Sequence, residues 1–258
     1  MRFASLGSGS RGNATLVERG ATCIMVDCGF SLKETMARLR RLGKAAADLT
    51  AIVLTHEHGD HAKGVGWLAR RFNLPVWLTA GTLHMIKARV GPLPLTRLFD
   101  PHQTFAIDDI LVTPFPVPHD AREPHQFVFS NGDFRLGILT DTGRSTPHIE
   151  ATLSGCHGLI LECNHDHSML WGGPYPQSLK VRIGGEQGHL DNATAAAILD
   201  ALDHTKLQHL VAAHLSDTNN TPALARLALS EVLGCASRWV HVADQECGLP
   251  WHNLSRVF

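Results

Sequence analysis

Residues 50–61 read Thr-Ala-Ile-Val-Leu-Thr-His-Glu-His-Gly-Asp-His, a β-branched apolar run that stops in a knot of imidazole and carboxylate. A run of that length and composition is a buried strand. His56, Glu57, His58, Gly59, Asp60 and His61 therefore fall on the loop at its C-terminal end. In sheets flanked by helices, that end is where functional sites collect.

The residue types in this loop suit zinc and its first-row neighbours, and the lack of nearby Cys argues against a closed structural zinc site. His56 and His58 project from one side of an extended segment, so both can hold one ion. Gly59 permits a sharp turn, after which Asp60 and His61 face a second position. The plainer alternative is a polar loop with Asp60 as N-cap of a helix that begins near His61.

With 258 residues the chain is long enough to bury a full core, and no low-complexity tract, charge block or repeat divides it. A single domain over 1–258 is expected. The formal net charge of −1 supplies no global field toward nucleic acid or anionic membrane, so a polyanion must be held locally. No apolar stretch approaches the length of a bilayer span, and the start Met1-Arg2-Phe3-Ala4-Ser5 lacks the apolar region of a signal peptide. A cytoplasmic protein without membrane contact is expected. Cys23, Cys28, Cys156, Cys163, Cys235 and Cys247 form no Cys-x-x-Cys pair and read as buried thiols.

Strands are expected at 2–6, 14–17 and 22–27, the first two joined by Gly7-Ser8-Gly9-Ser10-Arg11-Gly12-Asn13. That loop is either an anion-binding turn or an ordinary hairpin. Ser31 and Glu34 as a capping box, Leu32, Met36, Leu39 and Leu42 as an apolar face, and Gly43 as a stop define a helix over 31–42. Its Arg38, Arg40 and Arg41 read as a solvated face. Helices at 62–72 and 81–90 bracket a strand at 75–78, the alternation of an α/β layer architecture.

Short strands follow at 104–107, 110–115, 126–130 and 134–139, the last pair joined by Asn131-Gly132. His119 lies in a proline-bounded loop and Asp141 just beyond a strand end. A helix at 145–153 and a strand at 158–161 lead into Glu162-Cys163-Asn164-His165-Asp166-His167. The weakly periodic stretch that follows is long enough to suggest a site-building loop. A helix at 192–202, a strand at 207–213 ending at His214, a helix at 222–233 and a strand at 239–243 complete the pattern. Other histidines, such as His84, His102, His204, His209 and His241, read as surface or structural groups without convergent partners.

His56, His58, Asp60, His61, His119, Asp141 and His214, taken in that order, resemble the metallo-β-lactamase superfamily, whose His-x-His-x-Asp-His motif stands intact at 56–61. The resemblance implies an αββα sandwich of two mixed β-sheets flanked by helices, with a metal site at one edge. Ser8-Gly9-Ser10-Arg11-Gly12-Asn13, Gly188-His189-Leu190-Asp191-Asn192 and His214-Leu215-Ser216 look like the WalJ/YycJ nuclease group within it, with Asp191 where that group has Ser. Carried over by position, His56, His58 and His119 hold one ion, Asp60, His61 and His214 the other, and Asp141 bridges.

The function implied is a phosphodiesterase with two divalent metal ions, zinc first and manganese or iron as alternatives, that acts through a metal-bridging hydroxide as an exonuclease from 5′ ends. Asp60 and His189 are the catalytic candidates, His189 as general acid. The plain alternative for His189 is a loop histidine near a helix start. Ser10, Asn13, His165, Lys180, Arg182, Ser216 and Asn220 are the candidates for substrate contact, Arg182 because a guanidinium fork matches phosphate. The expected partner is nucleic acid or a small phosphodiester. Alternatives are a small cyclic ribose phosphate as substrate, then thioester or lactam hydrolysis, and a metal-binding scaffold without turnover.

Overall fold

The computed structural model describes residues 1–256. In chain order its first half contains β1 (Arg2–Gly7), β2 (Ala14–Arg19), β3 (Thr22–Val26), α1 (Leu32–Arg41), β4 (Ala51–Val53), α2 (Gly59–Ala62), α3 (Val65–Phe72), β5 (Pro75–Leu78), α4 (Ala80–Val90) and β6 (Leu95–Leu98). The second half contains β7 (Phe105–Ile107), β8 (Ile110–Pro116), β9 (His125–Ser130), β10 (Arg135–Leu139), α5 (Pro147–Leu153) and β11 (Gly158–Glu162). It continues with α6 (His167–Gly172), α7 (Gln177–Ile183), α8 (Asn192–Ala201), β12 (His209–Ala213), α9 (Pro222–Leu233), β13 (His241–Val242) and β14 (Leu249–Asn253).

The strands form two seven-stranded sheets, ordered β14-β1-β2-β3-β4-β5-β6 and β13-β12-β11-β10-β9-β8-β7. Each sheet is mixed. β1 to β3 pair antiparallel and β3 to β6 parallel, while β7 to β10 pair antiparallel and β10 to β13 parallel.

Period-two alternation assigns the two faces of each strand. In β3, Ile24 and Val26 join Val53, Phe127, Ile138 and Ile160 in an apolar layer between the sheets. Cys23 and Met25 face the other way, toward Leu39, Leu68 and Ile86 of the helices outside the first sheet. Leu159 and Leu161 of β11 do the same under Ile149, Leu199 and Leu229. The result is helix, sheet, sheet, helix, the expected αββα sandwich. No helix among the described residues is long and apolar enough to cross a membrane.

Several elements differ from the sequence expectation for local reasons. The helix expected over 62–72 is two pieces, α2 and α3, broken at Gly64. A Cβ there would sit 2.1 Å from the Phe30 carbonyl oxygen, and the Gly64 amide donates to Cys28 O at 2.7 Å, so the chain crosses the 28–30 loop at a distance only glycine allows. The hairpin after β9 takes up Asn131 through Phe134, because the Asn131 side chain accepts from the Phe134 amide at 2.8 Å and holds it out of β10. The long stretch after β11 folds into α6 and α7, each too short to print a clear period on the sequence. Asp191 caps α8 by accepting from the Thr194 amide.

Arg38 is the main correction on α1. The residue is 7% exposed, and its guanidinium stacks on the Phe30 ring at 4.1 Å and donates to Leu6 O at 2.9 Å and Gln245 O at 2.8 Å. It joins helix, first strand and the turn before β14, a role that periodicity could not separate from that of its exposed neighbours Arg40 and Arg41. Replacement by Ala leaves buried carbonyls without a donor, so Arg38→Ala is expected to lower unfolding free energy by about 3 kcal/mol. Urea denaturation checks this; a loss under about 1 kcal/mol would mean that water replaces the guanidinium at no great cost.

Candidate metal centre

The parallel strands of both sheets deliver their C-terminal ends to one edge of the sandwich. Asp27 follows β3, Thr55 and His56 follow β4, Asp141 follows β10, Glu162 ends β11 and His214 follows β12. Asp27, Asp141 and His214 each adopt the left-handed conformation, with φ of 62°, 52° and 56°. Non-glycine residues bear about 1–3 kcal/mol of strain there, and such strain persists where surrounding contacts fix the backbone for a purpose.

The seven candidates from the sequence converge. One ligand atom each from His56, His58 and His119 lies within 4.8 Å of the others, and the same holds for Asp60, His61 and His214. Asp141 stands between the two groups, its carboxylate 3.1 Å from His61 Nε2, 3.5 Å from His214 Nε2 and 4.0 Å from His119 Nε2. His56, His61, His119, Asp141 and His214 are buried, whereas His58 and Asp60 reach the surface of a cleft of about 370 Å³.

Hydrogen bonds aim most of these rings. Thr55 Oγ1 donates to Asp27 and accepts from His56 Nδ1 at 2.9 Å, and His61 Nδ1 donates to Asp27 Oδ2 at 2.8 Å. His119 Nδ1 donates to Gly188 O at 3.1 Å, and His214 Nδ1 lies 3.3 Å from Glu162 Oε1. In each case Nε2 is left for the shared interior, the arrangement by which proteins orient imidazole toward a metal. Sequence reading did not single out Asp27, Thr55 or Glu162 for a role. Their signal was there, since each polar group terminates or follows a buried strand as His56 does, but none carries a metal-ligand motif.

The residues fit divalent ions. His56 Nε2, His214 Nε2 and Asp141 Oδ2 are buried and make no hydrogen bond among the described residues. A buried polar atom left so costs about 1–3 kcal/mol, and three aimed into one space mark a place for a cation. Protonation without metal follows the same geometry. Burial and the neighbouring imidazole of His61 hold His56 well below the ordinary histidine range, and burial holds His119 down as well. Burial also opposes charge on His61 and His214, but Asp141 with Asp60 and other carboxylates outweighs it, raising His61 well above its usual value and His214 to about 10. Burial would raise the carboxyls of Asp60 and Asp141, yet His61 and His214 win and hold both low.

The other candidates divide. Ser10, Arg182, His189 and Ser216 line the cleft, together with Asp120 and Tyr175, which the sequence did not single out as site residues. Arg182 Nε donates to Asp120 Oδ2 at 2.7 Å. His189 Nδ1 donates to Glu162 Oε1 at 2.8 Å, and Glu162, fully buried, also accepts from the amides of Thr142 and Leu190. Asn13, His165, Lys180 and Asn220 lie outside the lining. The Asn13 amide braces the 8–13 loop and reaches to 3.1 Å from His61 Nε2. His165 is buried against Asn164 and Asp191, Lys180 Nζ donates to Trp171 O at 2.8 Å, and Asn220 is spent on Cys163 O and Asn192. The loop 7–13 is thus a hairpin pinned by Asn13, with Ser10 at its tip facing the cleft.

Residues 22–233 match the β-lactamase superfamily domain. The chain belongs to the β-lactamase superfamily, and the donor set at its strand tips is one that fits divalent metal ions. Within that superfamily it falls in the YycJ/WalJ group. It is 36% identical to exodeoxyribonuclease YycJ of Bacillus anthracis over 235 residues, 90% of this chain and 89% of that one. It is 31% identical to exodeoxyribonuclease WalJ of Streptococcus pneumoniae over 245 residues, 93% and 91% of the two chains. The solved structure of YhfI from Bacillus subtilis, a metallo-β-lactamase fold protein, superposes with a TM-score of 0.74 at 17% identity, covering 98% and 99% of the chains.

Metal uptake must displace protons. His61 and His214 are both raised, so in the metal-free protein both keep a proton through neutral pH, on the rings whose lone pairs an ion takes. Zinc binding to chelator-treated protein is expected to release protons and to tighten as pH rises between about 6 and 8. Calorimetry in buffers of different ionisation enthalpy reads the release directly, and a binding heat independent of buffer contradicts the assignment.

Proposed function

We propose that this chain is a metal-dependent phosphodiesterase of nuclease type that degrades DNA from 5′ ends, with two divalent ions, zinc first and manganese or iron as alternatives. The observation that carries the reading is the pairing of two ligand groups around Asp141 at the floor of an open cleft, in a chain similar over nine-tenths of its length to exodeoxyribonucleases. The 5′ polarity rests on the group resemblance alone.

His56, His58 and His119 would hold one ion, Asp60, His61 and His214 the other, and Asp141 both. An ion pair so held would lower the pKa of water and neutralise the charge that develops at phosphorus. The chain's own residues do the rest. Asp27 and Thr55 fix the rings of His56 and His61, and Glu162 fixes those of His189 and His214. In its doubly protonated form His189 keeps Nδ1–H on Glu162 and gives the proton on Nε2 to the leaving oxygen, which returns the ring to its neutral tautomer. Arg182 at the cleft wall exchanges Asp120 for a phosphate oxygen, a swap its exposed position allows. Ser10, Ser216 and Tyr175 supply hydroxyls along the same wall. Lys180 is left out, because its ammonium is already bound to the α6 backbone.

The six cysteines are all free, which supports residence in a reducing compartment such as the cytoplasm. A small cyclic ribose phosphate is the second reading, favoured by a cleft that matches one nucleotide better than a duplex and by the near-neutral charge.

Metal-loaded protein incubated with DNA and RNA labelled at either end is the test. Stepwise loss of nucleotides from the 5′ end of DNA is the expected result. No cleavage with zinc, manganese or cobalt overturns the reading, and efficient competition by cyclic ribose phosphates but not by DNA transfers it to the second. For His189→Ala, a fall in kcat of about 10²–10⁴-fold with metal content unchanged is expected. Metal analysis beside steady-state kinetics checks this, and an equal loss of bound metal would make His189 a ligand instead.

A further inference from the structure

A second convergence of histidines lies outside the centre. His209 opens β12, His241 opens β13, and His252 lies in β14, so two strands of one sheet and the edge strand of the other contribute one imidazole each. The sequence reading left His209 and His241 without partners. The fold supplies them, because β12 and β13 pair in parallel with Val211 opposite His241, and β14 returns along β1 with His252 opposite Phe3. One ring nitrogen from each of the three lies within 4.8 Å of the others, and the ring centroids are 4.2, 5.0 and 5.9 Å apart.

Two of the rings are already fixed as ligands are. His209 Nε2 donates to Asn253 O at 3.0 Å and His252 Nδ1 to Pro250 O at 2.8 Å, which settles each tautomer and leaves the opposite nitrogen with its lone pair. All three residues are half-buried, so an ion reaches them without rearrangement of the core. His209 precedes His214 by five strand residues, which separates this cluster from the cleft by about 16 Å.

We propose that His209, His241 and His252 form an ancillary binding site for a first-row divalent cation, zinc foremost, that ties β14 of the first sheet to the edge of the second. Three imidazoles and a fourth position open to water make a complete tetrahedral set for zinc. The charged groups that act on His241 are the two other imidazoles and Arg226, with no carboxylate among them. Attraction between opposite charges therefore does not choose the ion. Imidazole donation does, and it selects zinc, copper or nickel over magnesium or calcium. The ion binds only the folded arrangement, since the three ligands are far apart in the unfolded chain, so it stabilises the native state.

The test compares wild-type protein with His252→Ala and His241→Gln, each loaded with excess zinc, freed of unbound metal by gel filtration and analysed by mass spectrometry. The wild type is expected to carry one zinc ion more per chain than either variant, with cleavage activity equal in all three. In wild type, zinc added beyond saturation of the catalytic centre is expected to raise the thermal midpoint by about 5 °C, a shift that both variants lose. Equal zinc content in the wild type and a folded variant overturns the proposal. So does a wild-type midpoint that excess zinc leaves unchanged, a result that holds even if a variant fails to fold.

Discussion

Asp141 is 2% exposed and its carboxylate faces four imidazoles, those of His61, His214, His189 and His119, and the rest of the site is arranged around the cost of keeping it there. A carboxylate taken out of water must be paired or bound to metal. Without metal, the protons that the neighbouring carboxylates hold on His61 and His214 offset part of that cost. Divalent ions replace those protons with a larger positive charge and give the unpartnered atoms of His56, His214 and Asp141 something to bind. One electrostatic demand thus accounts for the raised imidazoles of His61 and His214 and for a donor set that fits cations.

The fold meets that demand by bringing further strand ends together around the 56–61 segment, which alone carries four of the seven ligand candidates. β3, β4, β10, β11 and β12 belong to two different sheets, yet their parallel segments end on one edge, where Asp27, Thr55, Asp141, Glu162 and His214 follow in turn. The positive φ at Asp27, Asp141 and His214 turns the chain sharply after the strand. Close backbone approach completes the packing: at Gly29 an added Cβ would lie 1.7 Å from Asp60 O, so the loop that carries Asp60 rests directly on the one after β3. The strain and the close contact are tolerated because the apolar layers beneath are fully buried and do not give.

Much of this was legible in the sequence. Apolar runs marked nearly every buried strand, and a His-x-His-x-Asp-His run after one of them pointed to the edge where the seven side chains converge. The residues that were missed share a physical cause. Asp27, Thr55 and Glu162 act through another side chain, and a single polar residue after a strand looks the same whether it orients a histidine or meets solvent. Lys180 and Asn220 carry the right chemistry for phosphate, but their partners, Trp171 O and Cys163 O, are backbone groups that no side-chain pattern announces. Arg38 and the trio His209, His241 and His252 depend on contacts between distant segments, which local periodicity does not encode. The edge strands β6 and β14 were missed because, with a face open to solvent, neither needs a continuous apolar run.

Anomalous diffraction at the zinc edge from crystals of the zinc-loaded protein measures the central claim most directly. Two maxima about 3.5–4 Å apart are expected at the strand tips, one beside His56, His58 and His119, the other beside Asp60, His61 and His214, with Asp141 reaching both. A single maximum there, or none at saturating zinc, contradicts a two-ion centre built on Asp141.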